Sequence, residues 1–180
     1  MSKRVALLRG VNVGGKTMVS MAELRHALEA LDLADVSTLL QSGNVLFEAG
    51  GAGNAALETR IAGAVSERFG LETEVFVHDA GTWGKLIKSN PMTAAAEAAP
   101  SGFIMLVLKA PAEAKVLEKL QALAVDGEEL KAVGHALFAS LPNGIGRSKL
   151  GNALSGKMAG LRGTGRNWNT VLKIAALLEA

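Results

Sequence analysis

Apolar residues in this chain come in short runs separated by turns rich in glycine and asparagine, and that punctuation limits the possible folds more than any other feature. The longest unbroken run is Phe103 to Leu108, six residues, against the ~20 that a membrane span requires. Runs this short become strands, or the inward faces of amphipathic helices. Arg4 to Arg9 reads as a buried strand that ends in the glycine-rich turn Gly10 to Thr17. Ser20 with Glu23 three residues on is a capping box; the helix it predicts runs to Leu31, with Met21, Leu24, Ala27, Leu28 and Leu31 on one face.

Val36 to Gln41 and Val45 to Glu48 read as a hairpin around Ser42-Gly43-Asn44. Asn54 is expected to cap a long helix to Phe69, and Glu72 to His78 reads as the next strand. The order is β-α-β-β-α-β, the ferredoxin-like split unit. A short helix over Ala80 to Lys88 leads to Asn90-Pro91 and an alanine-rich linker ending at Pro100. The pattern then restarts. Phe103 to Lys109 is a strand, Pro111 to Leu123 a helix with proline in its first turn, and Glu129 to Val133 with Gly134 to Leu141 a hairpin. Arg147 to Met158 reads as helical, Leu161 to Gly165 as a short strand, and Asn167 to Leu178 as a closing helix. Gly43-Asn44-Val45-Leu46-Phe47 and Gly134-His135-Ala136-Leu137-Phe138 share three residues at equal spacing, which suggests a duplication. The expected fold is α+β, with two ferredoxin-like halves at 1–90 and 91–180. Each would have an antiparallel sheet with helices on one face, and the second would end in the closing helix.

Composition narrows the chemistry. With no cysteine, disulfides, thiolate metal sites and a cysteine nucleophile are excluded. Hydrophobic residues at 49% and charged residues at 20% place the chain in the ordinary globular class. Only four apolar residues separate Arg4 from Arg9, too few for a secretory leader, and a cytoplasmic protein is expected. The formal charge of +2 hides a segregation. Residues 1–22 carry Lys3, Arg4, Arg9 and Lys16 with no acid, and residues 130–178 carry seven basic residues, again with no acid. Folded together, the two ends would make a positive field that attracts anions. The alternative is a solvated basic surface.

Four segments could carry chemistry. Gly10 to Thr17 fits the phosphate-loop pattern GxxxxGK[ST] after a strand. Such a loop wraps a phosphate with backbone N–H groups, and its lysine and hydroxyl serve phosphate and Mg²⁺. Here the helix cap is Ser20 rather than the Lys-Thr pair, and no good metal-binding aspartate follows, so a plain strand-to-helix turn competes with that reading. Pro142 to Leu150 opens a helix with Arg147 and Lys149, cations that oppose the helix dipole unless an anion sits between. Arg166-Asn167-Trp168-Asn169-Thr170 offers a helix cap at Asn167, a ring that pins the helix to the sheet, and a ligand candidate in Arg166. Gln41-Ser42-Gly43-Asn44 is a hairpin turn whose amides could also face a ligand. The histidines, His26, His78 and His135, lack metal-ligand spacing, so neither a metal nor a cofactor is expected. Without tyrosine, base stacking on strand aromatics is disfavoured, although contact with a nucleic-acid backbone remains open.

Leu7 to Lys16, Met21-Ala22-Glu23-Leu24, Gln41 to Val45, Gly144 to Leu150 and Arg166 to Val171 together resemble the bacterial family known as domain of unknown function 1697. The resemblance covers essentially the whole chain. It implies an α+β fold with ferredoxin-like halves and no particular activity. Members of that family often lack a hydroxyl residue at the place of Thr17, which implies that the phosphate-loop match is fortuitous.

Three functional expectations follow. The first is a binding module in which Arg9, Asn12, Gly14, Gly15, Lys16, Asn44, Arg147, Lys149, Arg166 and Asn167 hold a phosphate-containing ligand or a nucleic-acid backbone. The second is a small ATP-dependent phosphotransferase using Gly10 to Thr17. In the third, the polar motifs only fix turns and caps.

Overall fold

The computed structural model describes residues 1–13, 18–155 and 160–180. The chain divides into two compact units, Met1–Trp83 with Ile174–Ala180, and Gly84–Lys173. Their common class is α+β: each holds a four-stranded antiparallel sheet with helices packed against it.

In the first unit the order is β1 (Ser2–Leu8), α1 (Met21–Glu29), β2 (Ala34–Leu39), β3 (Asn44–Ala49), α2 (Asn54–Phe69) and β4 (Val75–Asp79). The sheet runs β2-β3-β1-β4, with every neighbour antiparallel. Alternation along the strands sends Ala6, Leu8, Val45, Phe47, Val75 and Val77 to one face. There they meet Leu24 and Leu28 of α1, and Leu57, Ile61 and Val65 of α2, residues spaced four apart along one side of each helix. Each fully buried aliphatic side chain of this kind contributes roughly 1.5–3 kcal/mol. Ser20 caps α1 as expected, accepting the Glu23 N–H at 3.4 Å. Asn54 does not cap α2. Gly53 takes that position, and the Asn54 Oδ1 instead accepts from the Arg4 guanidinium at 2.9 Å.

Helix α3 (Ala80–Lys88) follows β4 directly. Asp79, at its start, accepts the Thr82 N–H at 2.7 Å. That bond holds the carboxyl below the ordinary aspartate range, outweighing the opposite push of partial burial, with smaller help from Arg4 and His78.

The second unit contains α4 (Thr93–Ala98), β5 (Phe103–Leu108), α5 (Ala114–Gln121), β6 (Glu129–Val133) and β7 (Ala136–Ser140). A 3₁₀ turn (Ile145–Arg147), α6 (Lys149–Ser155), β8 (Gly163–Asn167) and α7 (Trp168–Glu179) complete the order, α7 belonging to the first unit from Ile174 onward. Its sheet runs β6-β7-β5-β8. The alanine-rich stretch is thus a helix, α4, not a linker, in keeping with the high helix propensity of alanine. Helix α5 opens at Ala114, so Pro111 stands ahead of it rather than in its first turn. The expected helix from Arg147 to Met158 is broken at Ser148, whose extended backbone separates the 3₁₀ turn from α6; Met158 lies outside the described residues.

The five-residue match between the hairpins is out of phase with the structure. Val45 and Phe47 face the helices in the first unit, whereas Leu137 and Ala139 do so in the second. Phe47 and Phe138 therefore lie on opposite faces of their sheets, as a one-residue slip requires.

Two measurements check this packing. A Cβ on Gly163 would stand 2.5 Å from Leu108 Cδ2 and 2.8 Å from the Val107 carbonyl oxygen. Gly163→Ala is expected to cost roughly 1–3 kcal/mol by urea denaturation, and an unmoved midpoint would contradict the close approach. Because the Asp79 pKa is depressed on folding, its stabilisation is present above the unfolded value of about 3.9 and is lost as pH falls through the folded one. Asp79→Asn should flatten that acid limb; a limb of unchanged steepness assigns it to other carboxylates.

Candidate functional site

Two of the sequence motifs meet in the first unit. The chain leaves β1 at Leu8, whose N–H donates to the Gly43 carbonyl at 2.8 Å. Gly43 has φ +72°, and a Cβ there would stand 3.0 Å from Leu8 Cβ and 3.3 Å from Val11 Cβ, so only glycine lets the β2–β3 turn lie against the end of β1. Asn44 is fully buried, and its amide donates to the Leu39 carbonyl at 2.9 Å and to Ser42 Oγ at 3.0 Å.

Asn12 joins the two segments. With φ +55° it occupies the left-handed region that asparagine tolerates better than most residues. Its Nδ2 donates to Val19 O at 2.9 Å and to Gln41 O at 2.8 Å, and its Oδ1 accepts the Val19 N–H at 2.7 Å. One carboxamide thereby closes the neck of the segment between Val13 and Met18 and ties it to the β2–β3 turn. Gly14, Gly15, Lys16 and Thr17, which complete the phosphate-loop pattern, lie outside the described residues. In a nucleotide-hydrolysing loop of this pattern a helix follows the Lys-Thr pair at once, and here α1 opens at Met21 under its Ser20 cap.

Arg9 is half-buried and ion-paired to Glu74 at 2.7 Å. Its carbonyl accepts from the Thr73 hydroxyl at 2.8 Å, and its N–H donates to Glu74 O at 3.0 Å. Its charge is thus spent in large part on β4's approach. Nothing in the local sequence marked Thr73 and Glu74 as its partners; the β1–β4 register alone brings them there.

In the second unit the Pro142 to Leu150 motif is built around Ser148 and Gly151. Ser148 Oγ accepts the Gly151 N–H at 2.8 Å and caps α6. A Cβ on Gly151 would stand 2.6 Å from Ile145 O, so glycine is what allows the 3₁₀ turn to fold back on α6. Arg147 and Lys149 flank the cap and are exposed. Arg166, on β8, is only 8% exposed, and its guanidinium donates to Thr164 Oγ1 at 2.9 Å and to Gly165 O at 2.7 Å. Burial pushes its pKa down to about 10, which leaves it charged at neutral pH. Asn167 Oδ1 accepts both the N–H (3.0 Å) and the hydroxyl (2.9 Å) of Thr170 at the start of α7, the expected cap. Trp168 meets Phe103 of β5 edge-on at 5.5 Å and so pins that helix to the sheet, also as expected.

Among the described residues no cluster of three or more His, Asp or Glu could hold a metal ion, and no helix is long and apolar enough to cross a membrane.

These features define an α+β protein of two four-stranded antiparallel sheets whose glycine- and asparagine-rich motifs form loop necks and helix caps. The family model for "Protein of unknown function (DUF1697)" matches residues 1–138, and the chain belongs to that family. Among solved structures it is similar to the conserved bacterial protein SP0830 from Streptococcus pneumoniae, with a TM-score of 0.72, 20% identity and 98% of each chain covered. At that identity the likeness concerns the fold. No curated protein matches the chain.

Substitution separates loop-holding residues from exposed cations. Asn12→Ala strands the Val19 N–H and two carbonyls, and is expected to cost roughly 1–3 kcal/mol in thermal or urea unfolding. Asn12→Gly, which suits the positive φ but lacks the amide, should recover only part of that loss. Arg147→Ala and Lys149→Ala should each stay within about 0.5 kcal/mol of wild type. Full recovery by Asn12→Gly would show that backbone strain, not the amide, decides the loop.

Proposed function

We propose that the chain is a binding module for a phosphate-containing ligand, held by the loop that Asn12 closes. The observation that carries this reading is the Asn12 carboxamide, which satisfies both backbone groups of Val19 and ties them to Gln41. A segment whose neck is closed by a side chain is not held by the sheet ladder, and glycine-rich segments in such positions are where backbone N–H groups form anion nests. The sequence inside that neck, Gly14-Gly15-Lys16-Thr17, has the composition of an anion nest with a cation beside it. Lys16 is the contact residue there; Arg9, Asn12 and Asn44 hold the loop and the turn it rests on. In the second unit, Arg147 and Lys149 are the exposed cations that would contact an anion, while Arg166 and Asn167 act inside the fold. The Ser20 cap of α1 favours binding over phosphotransfer, because the helix start is not offered to the phosphate.

We also propose that both halves, 1–90 and 91–180, are ferredoxin-like and arose by duplication. The identical winding of the two sheets supports this. So does a pair of matching bonds at the same strand end: Leu8 to Gly43 and Arg9 to Glu74 in one unit, Leu108 to His135 and Lys109 to Arg162 in the other. A cytoplasmic location is part of the same proposal.

Inorganic tripolyphosphate at low salt tests the binding reading. At a hundredfold excess over Kd a specific ligand stabilises by about 2.7 kcal/mol, so a clear rise in Tm is expected. Lys16→Ala should abolish the rise without altering Tm in its absence. No rise, or one that Lys16→Ala leaves intact, contradicts the reading. A long oligonucleotide that binds far better, with steep loss in salt, would point instead to a nucleic-acid backbone.

A further inference from the structure

At the start of β1 the first sheet carries a cavity of about 300 Å³. Lys3 of β1, Asp35 and Ser37 of β2, Leu46 and Glu48 of β3, and Leu177 of α7 line it, all within the first unit. That volume is at the small end of ligand pockets, which run to about 1,000 Å³. Strand register explains why these residues meet. Lys3 stands opposite Glu48, and Ser37 opposite Leu46, so the four side chains leave one side of the sheet. It is the side turned away from α1 and α2, which Val45 and Phe47 face. Between Ala34 and Ser37 the register slips, three steps along β2 matching two along β3. This bulge, with Asp35 at φ +49°, brings Asp35 to the cavity, where plain alternation from Ala34 would send it to the helix side.

The polar groups of this cavity are uncommitted. The side chains of Lys3, Asp35, Ser37 and Glu48 make no hydrogen bond or ion pair with any described residue. Lys3 and Glu48 carry opposite charges on directly opposed positions, an arrangement that favours pairing, yet no ion pair joins them. Beside these charges is an apolar wall, formed by buried Leu46 and by Leu177, which is 43% exposed.

We propose that this cavity is a second ligand site, for a small zwitterion with an aliphatic body, of the class of the free α-amino acids. Its ammonium group donates to Asp35 and Glu48, its carboxylate accepts from Lys3, and its carbon chain lies against Leu46 and Leu177. A purely cationic ligand would meet Lys3 with like charge, and a purely anionic one would meet two carboxylates. Only a ligand of both signs gives every charge a partner. The site lies at the opposite end of β1 from the Asn12 loop and does not depend on the phosphate reading.

Titration of the full chain with L-leucine, followed in the backbone amide spectrum, tests the proposal. Isoamylamine, which lacks the carboxylate, and isocaproate, which lacks the ammonium group, serve as its two halves. Leucine is expected to shift the amides of residues 34–37, 46–48 and 177, and to bind about tenfold more tightly than either half. Lys3→Met should lower leucine to the affinity of isoamylamine, and Glu48→Gln should weaken leucine and isoamylamine alike. Neither substitution should move Tm, since neither side chain has a partner to lose. An unshifted spectrum, shifts elsewhere in the chain, or isoamylamine binding as tightly as leucine would overturn the proposal. So would leucine binding that either substitution leaves intact. A marked fall in Tm with either variant would mean that Lys3 and Glu48 pair with each other, and would remove the free charges on which the site rests.

Discussion

A single carboxamide does at the end of β1 what a strand ladder does within the sheet. Past Leu8 the main chain no longer pairs with β3, and the Asn12 side chain takes over by engaging Val19 on one side and Gln41 on the other. The consequence reaches back into the core. Val11, just before Asn12, is buried against Gly43, and Val19, just after the loop, is buried with the helix-facing cluster. The two flanks of the segment are thus anchored by buried valines and joined by one amide.

The second unit solves its corresponding problem differently. Where the first unit uses a side-chain amide, the second uses close backbone packing: Gly102 and Gly151 lie against the Leu141 and Ile145 carbonyls, and Gly163 against β5. The glycines that make the chain look loop-rich in sequence are, at these positions, contacts that admit no Cβ. The two exposed cations beside α6 thus flank a turn held by the Ser148 cap.

Much of the fold was legible because its signals are local. Short apolar runs between turn residues marked the strands, the Ser20–Glu23 box marked α1, and Asn167 marked the start of α7. What misled was also local in form but decided by distant residues. Asn54 looks like a cap, yet Arg4 claims its side chain, and the cap falls to Gly53. The hairpin repeat looks like homologous register, yet facing is set by the whole sheet, and the two phenylalanines lie on opposite sides. For the candidate site, residue type was a good guide to which segments matter and a poor one to what each does. Arg9 and Arg166 were read as ligand contacts from their charge, but strand pairing brings Glu74 to Arg9, and the Arg166 guanidinium folds back on Thr164 and Gly165 of its own strand.

The most direct measurement is the backbone amide spectrum of the full chain as tripolyphosphate is added. The Asn12-closed loop as an anion receptor requires shifts concentrated in residues 10–19 and at Gln41, with Val19 N–H still protected from exchange by the Asn12 carboxamide. Shifts spread evenly over the basic surface, or a Val19 N–H that exchanges freely before any ligand is added, would contradict it.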